Sequence, residues 1–324
     1  MSFLPSLAKR LLYAVGLIFA VLTINFVLIH AAPGDPAMVI AGEMGGADQA
    51  TLDQIRRTYG LDRPVLEQYA TYVGRALSGD LGQSYLYNQP VTTLILQRLP
   101  ATILLVLTAM LVAIAVGTMV GVWASRRPHS LRSGAVTILS LVGYSMPTFW
   151  TGILLVILFG KVIPIMPIAG MRDVRLYGGW FVTTVDVLHH LVLPAFTLAI
   201  VYMAQYSRLS RASMLEVLSS DYIRTARAKG LAERYVIWKH ALRNALMPVV
   251  TIAGLQFGNL VSGAVLVETV FSWPGLGTLA FDSILGRDYP TLLGVLFFSS
   301  VLVIAANQLT DLAYRLIDPR LRTR

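Results

Sequence analysis

Residues 101–124 read ATILLVLTAMLVAIAVGTMVGVWA, a run with no ionisable side chain. A helix of about 20 apolar residues crosses the hydrocarbon core of a bilayer, and this run is long enough. Arg126 and Arg127 follow almost at once. Working outward, similar stretches occur at Leu11–Ala32, Gly134–Phe159, Leu191–Tyr206, Pro248–Val270 and Thr291–Ala313. The Leu191–Tyr206 stretch is short, with Val185 as an alternative start. The reading is an all-α, polytopic integral membrane protein with six transmembrane helices. Leu11–Ala32 is too long for the apolar region of a signal peptide, and Pro33 would follow the cleavage point, so it reads as a retained anchor.

Composition agrees. The 324 residues are 56% apolar and 13% charged, against about 25% charged in soluble domains, too little polar surface for a chain bathed in water. Cysteine is absent, which excludes disulfides and thiolate chemistry. The net charge of +9 raises the question of nucleic acid, and its distribution answers it. With the N-terminus inside, 17 of the 26 basic residues fall on inner segments, while the other nine share the outer side with twelve acids, Glu268 at the outer end of the fifth span included. The positive-inside rule therefore places both termini in the cytoplasm, and no nucleic-acid partner is required.

The expected organisation is an anchor helix with an extracytoplasmic helical segment over residues 1–97, a permease core over 98–313, and a cytoplasmic tail over 314–324. Past Asp62 and Pro64, the side chains of Val65, Leu66, Tyr69, Tyr72, Val73, Ala76 and Leu77 recur at helical spacing. They predict an amphipathic helix, ended by Gly79 and Gly82, that packs on the membrane domain or at the interface. Residues 161–190, rich in Pro and Gly, read as an irregular outer cap.

Catalytic patterns are missing. No G-x-x-x-x-G-K-[ST], H-E-x-x-H or G-x-S-x-G run occurs; Gly143-Tyr144-Ser145-Met146-Pro147 lacks the closing glycine. His189 and His190 would point about 100° apart on a helix, a poor metal pair, and fit the outer interface. No catalytic, cofactor or metal site is expected. Ionisable groups within spans would mark an ion-coupled carrier. His30, Glu268 and Asp311 fall near helix ends, and Asn25, Gln256, Asn259 and Asn307 are the internal polar groups. This disfavours an ion-coupled carrier acting alone, which stays open as the alternative of another class.

The fifth span has two faces. Thr251, Gly254, Gly258 and Ser262 form a small-residue stripe that lets a helix approach closely. Gln256, Asn259 and Gly263 share a polar face that either lines a wet translocation path or makes interhelical hydrogen bonds.

The inner segment before this span reads Ser220-Asp221-Tyr222-Ile223-Arg224-Thr225-Ala226-Arg227-Ala228-Lys229-Gly230-Leu231. Ser220 suits an N-cap, with Asp221 favourable to the helix dipole. Gly230 suits a left-handed C′ position, and Lys229 complements the C-terminal dipole. A second helix would run to about Ala245, before Pro248. A short helix, a glycine turn and a second helix suggest a docking knob.

This segment resembles the EAA loop of bacterial ABC importer permeases, specifically the peptide/nickel branch, with Arg224 in place of the general pattern's leading acid. Further matching pieces are Pro33-Gly34-Asp35-Pro36, Gly79-Asp80-Leu81-Gly82, the run from Glu268 to Gly277, Arg287-Asp288-Tyr289-Pro290, and Asp318-Pro319-Arg320. The resemblance implies a type I ABC importer permease fold in the bacterial inner membrane. It also implies a second homologous permease chain, two ABC ATPase subunits or domains, and an extracytoplasmic solute-binding protein, with surrounding membrane lipid. Asp221, Tyr222, Thr225, Ala226, Ala228, Lys229, Gly230 and Leu231 would form the ATPase-coupling loop. Glu268, Phe271, Trp273, Pro274, Gly275 and Gly277 would form an outer gate or contact the binding protein. Di- or oligopeptides are the implied solutes, with glutathione and nickel complexes as alternatives.

Overall fold

The structure is a computed structural model that describes residues 3–31, 37–38, 48–59, 62–176 and 178–317. The motif pieces at 33–36 and 318–320, and the side chain of Asp311, lie outside the described residues. The described helices are α1 (Phe3–Ala31), α2 (Gln49–Tyr59), α3 (Val65–Leu77), α4 (Val91–Ser125), α5 (Leu131–Ser145), α6 (Thr148–Val162), α7 (Trp180–Leu218), α8 (Asp221–Ala228), α9 (Glu233–Val270), α10 (Leu276–Leu285) and α11 (Tyr289–Ile317). Among the described residues α4, α7, α9 and α11 are long and apolar enough to cross a membrane, and the pair α5–α6 makes a fifth if taken as one span. The apolar part of α1, Leu12–Leu28, is shorter, so the expected sixth span is not reached within the described residues.

Three expectations are corrected. The span expected at 134–159 is broken, α5 and α6 meeting at 102°. Proline disfavours the helical conformation in the residue before it; Met146 is accordingly extended, at φ −78° and ψ 130°, and the helix restarts at Thr148 after Pro147 as N-cap. The helix that carries the fourth span begins at Trp180, ahead of Leu191 and Val185, so the irregular cap is shorter than expected, and His190 is buried beside Asp186. The second helix of the knob does not stop before Pro248. It continues through a π-helical turn at Val236–Ala241 into the fifth span. Pro194 and Pro248 both lie inside helices, where packing against neighbouring helices can compensate the lost hydrogen bond.

The chain divides into two compact units. The first comprises Met1–Pro100 with Gly275–Gln308. There α3 lies on α1, with Val73 and Ala76 buried against Leu22 and Tyr69 and Tyr72 packed beside them. The amphipathic stripe is thus partly as expected, but Val65, Leu66 and Leu77 stay exposed. Gly79, at φ +83°, follows the C-cap Ser78 of α3. Asn25 is buried and donates to the Leu293 carbonyl. Asp288 is fully buried and accepts from the Ser84 hydroxyl at 2.5 Å, the Tyr85 amide at 3.2 Å and the Thr291 hydroxyl at 2.6 Å. The residues that follow the resembling piece at 79–82 are thereby held by a carboxylate of the piece at 287–290.

The second unit comprises Ala101–Pro274 with Leu309–Arg324. A close helix contact rests on Gly117 and Gly121 of α4. A Cβ at Gly117 would stand 2.6 Å from the Met203 carbonyl, and one at Gly121 would stand 2.5 Å from the Ser207 carbonyl. The backbones of α4 and α7 therefore approach as in G-x-x-x-G packing, which only glycine permits.

Candidate coupling and translocation sites

Eight residues, Asp221–Ala228, form α8. Ser220 has the extended backbone of an N-cap, φ −73° and ψ 153°, but its hydroxyl donates to the Val217 carbonyl at 2.6 Å and so does not cap α8. Two side chains root the helix. Ile223 and Ala226 are buried among Val122, Met214, Val236, Ile237, Ala241 and Ala245. Ala226, expected within the coupling surface, therefore points inward as an anchor. Asp221, Tyr222, Thr225, Ala228, Lys229, Gly230 and Leu231 are exposed. Burial of every third residue leaves the rest of a short helix outward.

Gly230 has φ +77°, the left-handed conformation expected for C′. Its amide donates to Arg227 O at 2.9 Å, and the Lys229 amide donates to Thr225 O at 3.1 Å. Across this turn the Arg227 guanidinium grips the Glu233 carboxylate with Nε at 3.1 Å and a terminal nitrogen at 2.8 Å. That hydrogen bond raises the Arg227 pKa further above its ordinary value. Both side chains are substantially solvent-accessible, so the pair contributes geometry more than stability. Asn244 of α9 donates to the Tyr222 hydroxyl at 2.7 Å. The knob is a rooted, closed turn with a polar outer face. Tyr235 and Trp238, which sequence reasoning passed over, are exposed nearby at 43% and 49%. Two aromatic residues within the basic segment before the fifth span were the signal that could have marked them.

The polar face of α9 is also realised, in part differently. Gln256 donates to Gln205 of α7 at 3.2 Å, and Asn259 donates to Gln256 at 2.7 Å. Gln256 is half-buried and Asn259 exposed. Gln205, a lone amide near the end of the expected fourth span, went unremarked. A Cβ on Gly263 would meet Leu198 at 3.3 Å, which assigns Gly263 to packing against α7. Of the small-residue stripe, Gly254 is buried and Gly258 half-buried, whereas Thr251 and Ser262 are exposed. Their hydroxyls donate to the carbonyls of Met247 and Gly258 four residues back.

The segment after α9 departs most from expectation. Glu268 is fully buried, not interfacial, and its carboxylate accepts from the Thr102 hydroxyl at 2.6 Å. Phe271 and Trp273 are 1% and 0% exposed. The Trp273 indole N–H donates to Ala101 O at 2.9 Å, and its amide donates to Glu268 O at 2.8 Å. Gly275 and Gly277 are buried and Pro274 is half-buried. Ser272, at φ +49°, is exposed between the two buried aromatics. In this conformation Phe271 and Trp273 cannot present their rings to a soluble partner.

Long apolar helices with amides bonded between them, and a compact helical knob at the end of two of them, are the parts of a membrane transport component. The chain belongs to the family described as binding-protein-dependent transport system inner membrane component, which matches residues 117–323. The companion N-terminal family, binding-protein-dependent transport system membrane component, matches residues 3–106. Similar relatives include the oligopeptide transport system permease protein AppB of Bacillus subtilis, 39% identical over 97% of this chain and 98% of the relative. The di/tripeptide transport system permease protein DppB of Pseudomonas aeruginosa is 41% identical over 98% and 99%. The dipeptide transport system permease protein DppB of Escherichia coli K12 is 39% identical over 98% and 99%. A chain from a crystal structure of the MetNI methionine ABC transporter in inward-facing conformations shares the fold, with a TM-score of 0.55 and 19% identity over 69% of this chain and 96% of that one.

Proposed function

We propose that this chain forms half of the membrane path of an ATP-driven importer of di- or oligopeptides, and that it is itself catalytically silent. Its partners are a second homologous permease chain, two ABC ATPase subunits and an extracytoplasmic solute-binding protein. The observation that carries the reading is the knob: Ile223 and Ala226 root it, Gly230 turns it, and Asp221, Tyr222, Thr225, Ala228 and Lys229 are left outward. A protrusion fixed this firmly to the long helix α9 can transmit an ATPase movement into the membrane as a rigid body, where an unstructured loop could not. The peptide substrate rests on the names of the relatives at 39–41% identity.

The charge asymmetry supports cytoplasmic termini in the inner membrane. Because cysteine is absent, His129→Cys and Ser219→Cys should react with an impermeant thiol reagent only when the inner face is opened, and Gly179→Cys should react from outside. Transport is tested in proteoliposomes that hold the assembled complex. Labelled dipeptide should accumulate only with ATP and the loaded binding protein. Uptake that ignores ATP would overturn the reading, and so would stimulation by other solutes but never by peptides.

A further inference from the structure

The α4–α5 linker and the base of the knob border an open cavity of about 710 Å³ whose lining includes Trp123, Arg126, Arg127, Arg132, Arg227 and Glu233. Its one carboxylate, Glu233, is already held by Arg227 at 2.8 Å. Arg126, Arg127 and Arg132 have no such partner among the described residues. Four guanidinium groups thus line one space with a single carboxylate, Glu233, which Arg227 holds directly and Arg126 reaches at longer range. The excess of positive charge in this space favours an anion from outside.

The walls are fixed. Arg211 of α7 donates through Nε to the buried Ser133 hydroxyl at 3.1 Å and through a terminal nitrogen to Pro128 O at 3.4 Å, bracing the linker. The cavity lies at the Ser125 end of the apolar helix α4. Beside it Trp123 is 48% exposed and Leu131 93% exposed, side chains suited to the headgroup boundary. The positive-inside rule accounts for basic residues in the linker. It does not account for their convergence on one cavity with Arg227, which arrives from α8 about a hundred residues later.

We propose that this cavity seats the headgroup phosphate of an anionic phospholipid. Guanidinium forks match phosphate oxygens in pairs, basic pockets on the cytoplasmic side of helices bind such headgroups, and the lipid is already present at this depth. The proposal rests on the orientation given above only for which leaflet supplies the lipid.

The test is lipid retention by the full chain with its partner subunits, extracted in mild detergent from membranes of phosphatidylethanolamine and phosphatidylglycerol, with bound lipid quantified by mass spectrometry. Phosphatidylglycerol should be enriched at least about fivefold over its membrane share, the factor one arginine's attraction supplies. The variant R126Q/R127Q/R132Q should lose that enrichment. The variant R234Q/K239Q/R243Q, which removes equal charge from residues outside the cavity lining, should keep it. Wild-type protein that retains the two lipids in their membrane ratio overturns the proposal however the variants fold. Equal losses in both variants overturn it as well, by reducing it to general surface charge. If inorganic phosphate displaces the phosphatidylglycerol completely, the site belongs to a soluble anion and the lipid assignment fails. Retention does not depend on which way the chain is threaded, so this result and the thiol labelling fail separately.

Discussion

The Thr102 hydroxyl donates a 2.6 Å hydrogen bond to the Glu268 carboxylate, and neither side chain reaches solvent. One residue away on α4, the Ala101 carbonyl receives the indole N–H of Trp273. The start of the α4 apolar run is therefore clasped to the end of α9 by a carboxyl group and an aromatic one. A carboxylate without compensating hydrogen bonds would be costly here, so this clasp is part of how the helix ends hold together.

Removing the clasp should cost stability before it costs recognition. Trp273→Ala should destabilise by about 3–5 kcal/mol, the range for truncating a buried aromatic. Trp273→Phe, which mainly loses the hydrogen bond, should cost about 1 kcal/mol. Thermal unfolding in detergent measures both. Unchanged stability of Trp273→Ala, with a weakened response of ATP hydrolysis to loaded binding protein, would restore a direct contact role for the loop.

At Gly230 no atom lies within 4 Å of where a Cβ would be, so the φ of +77° alone decides the outcome. Gly230→Ala should cost roughly 1 kcal/mol, and Gly230→Val more. The valine variant should insert normally yet recover little ATPase on co-purification, and transport should fail. Lys229→Ala should be milder than either. Full transport by Gly230→Val would remove the case for a rigid knob.

The amide chain Gln205–Gln256–Asn259 separates path from packing. Gln256→Leu should lower both stability and transport, because it strips Gln205 and Asn259 of a partner. Asn259→Leu, at the exposed end, should lower transport with stability nearly unchanged. A Gln205→Leu/Gln256→Leu double variant should recover stability if the bond is structural. The coupling read from that cycle should be about 0.5–2 kcal/mol.

The α4–α7 contact should tolerate no side chain. Gly121→Leu would drive atoms into the backbone of α7, where a Cβ alone already lies 2.5 Å from Ser207 O. Assembled protein should fall sharply, as judged by size-exclusion chromatography. Gly134→Ala, on an exposed helical position with nothing within 4 Å, should leave assembly intact and gain up to about 1 kcal/mol from helix propensity. Equal behaviour of the two variants would refute the close-packing account.

What the sequence determined by itself was whatever depends on a residue and its near neighbours. The apolar run at 101–124 predicts a membrane helix by length, and Gly230 predicts a left-handed turn because its surroundings stop one helix and start another. The G-x-x-x-G at Gly117 and Gly121 is legible in the sequence too. Tertiary structure alone decided which polar and aromatic groups leave the surface. Glu268 meets Thr102 across 166 residues of chain, and Asp288 meets Ser84 across 204. Position near a helix end says only that such a group could reach water. Whether it is buried depends on which distant backbone arrives to satisfy its hydrogen bonds, and local pattern carries no record of that. The same reason explains Trp273. Its apolar ring and single donor suit either an interface or a core, and the Ala101 carbonyl within reach made it core.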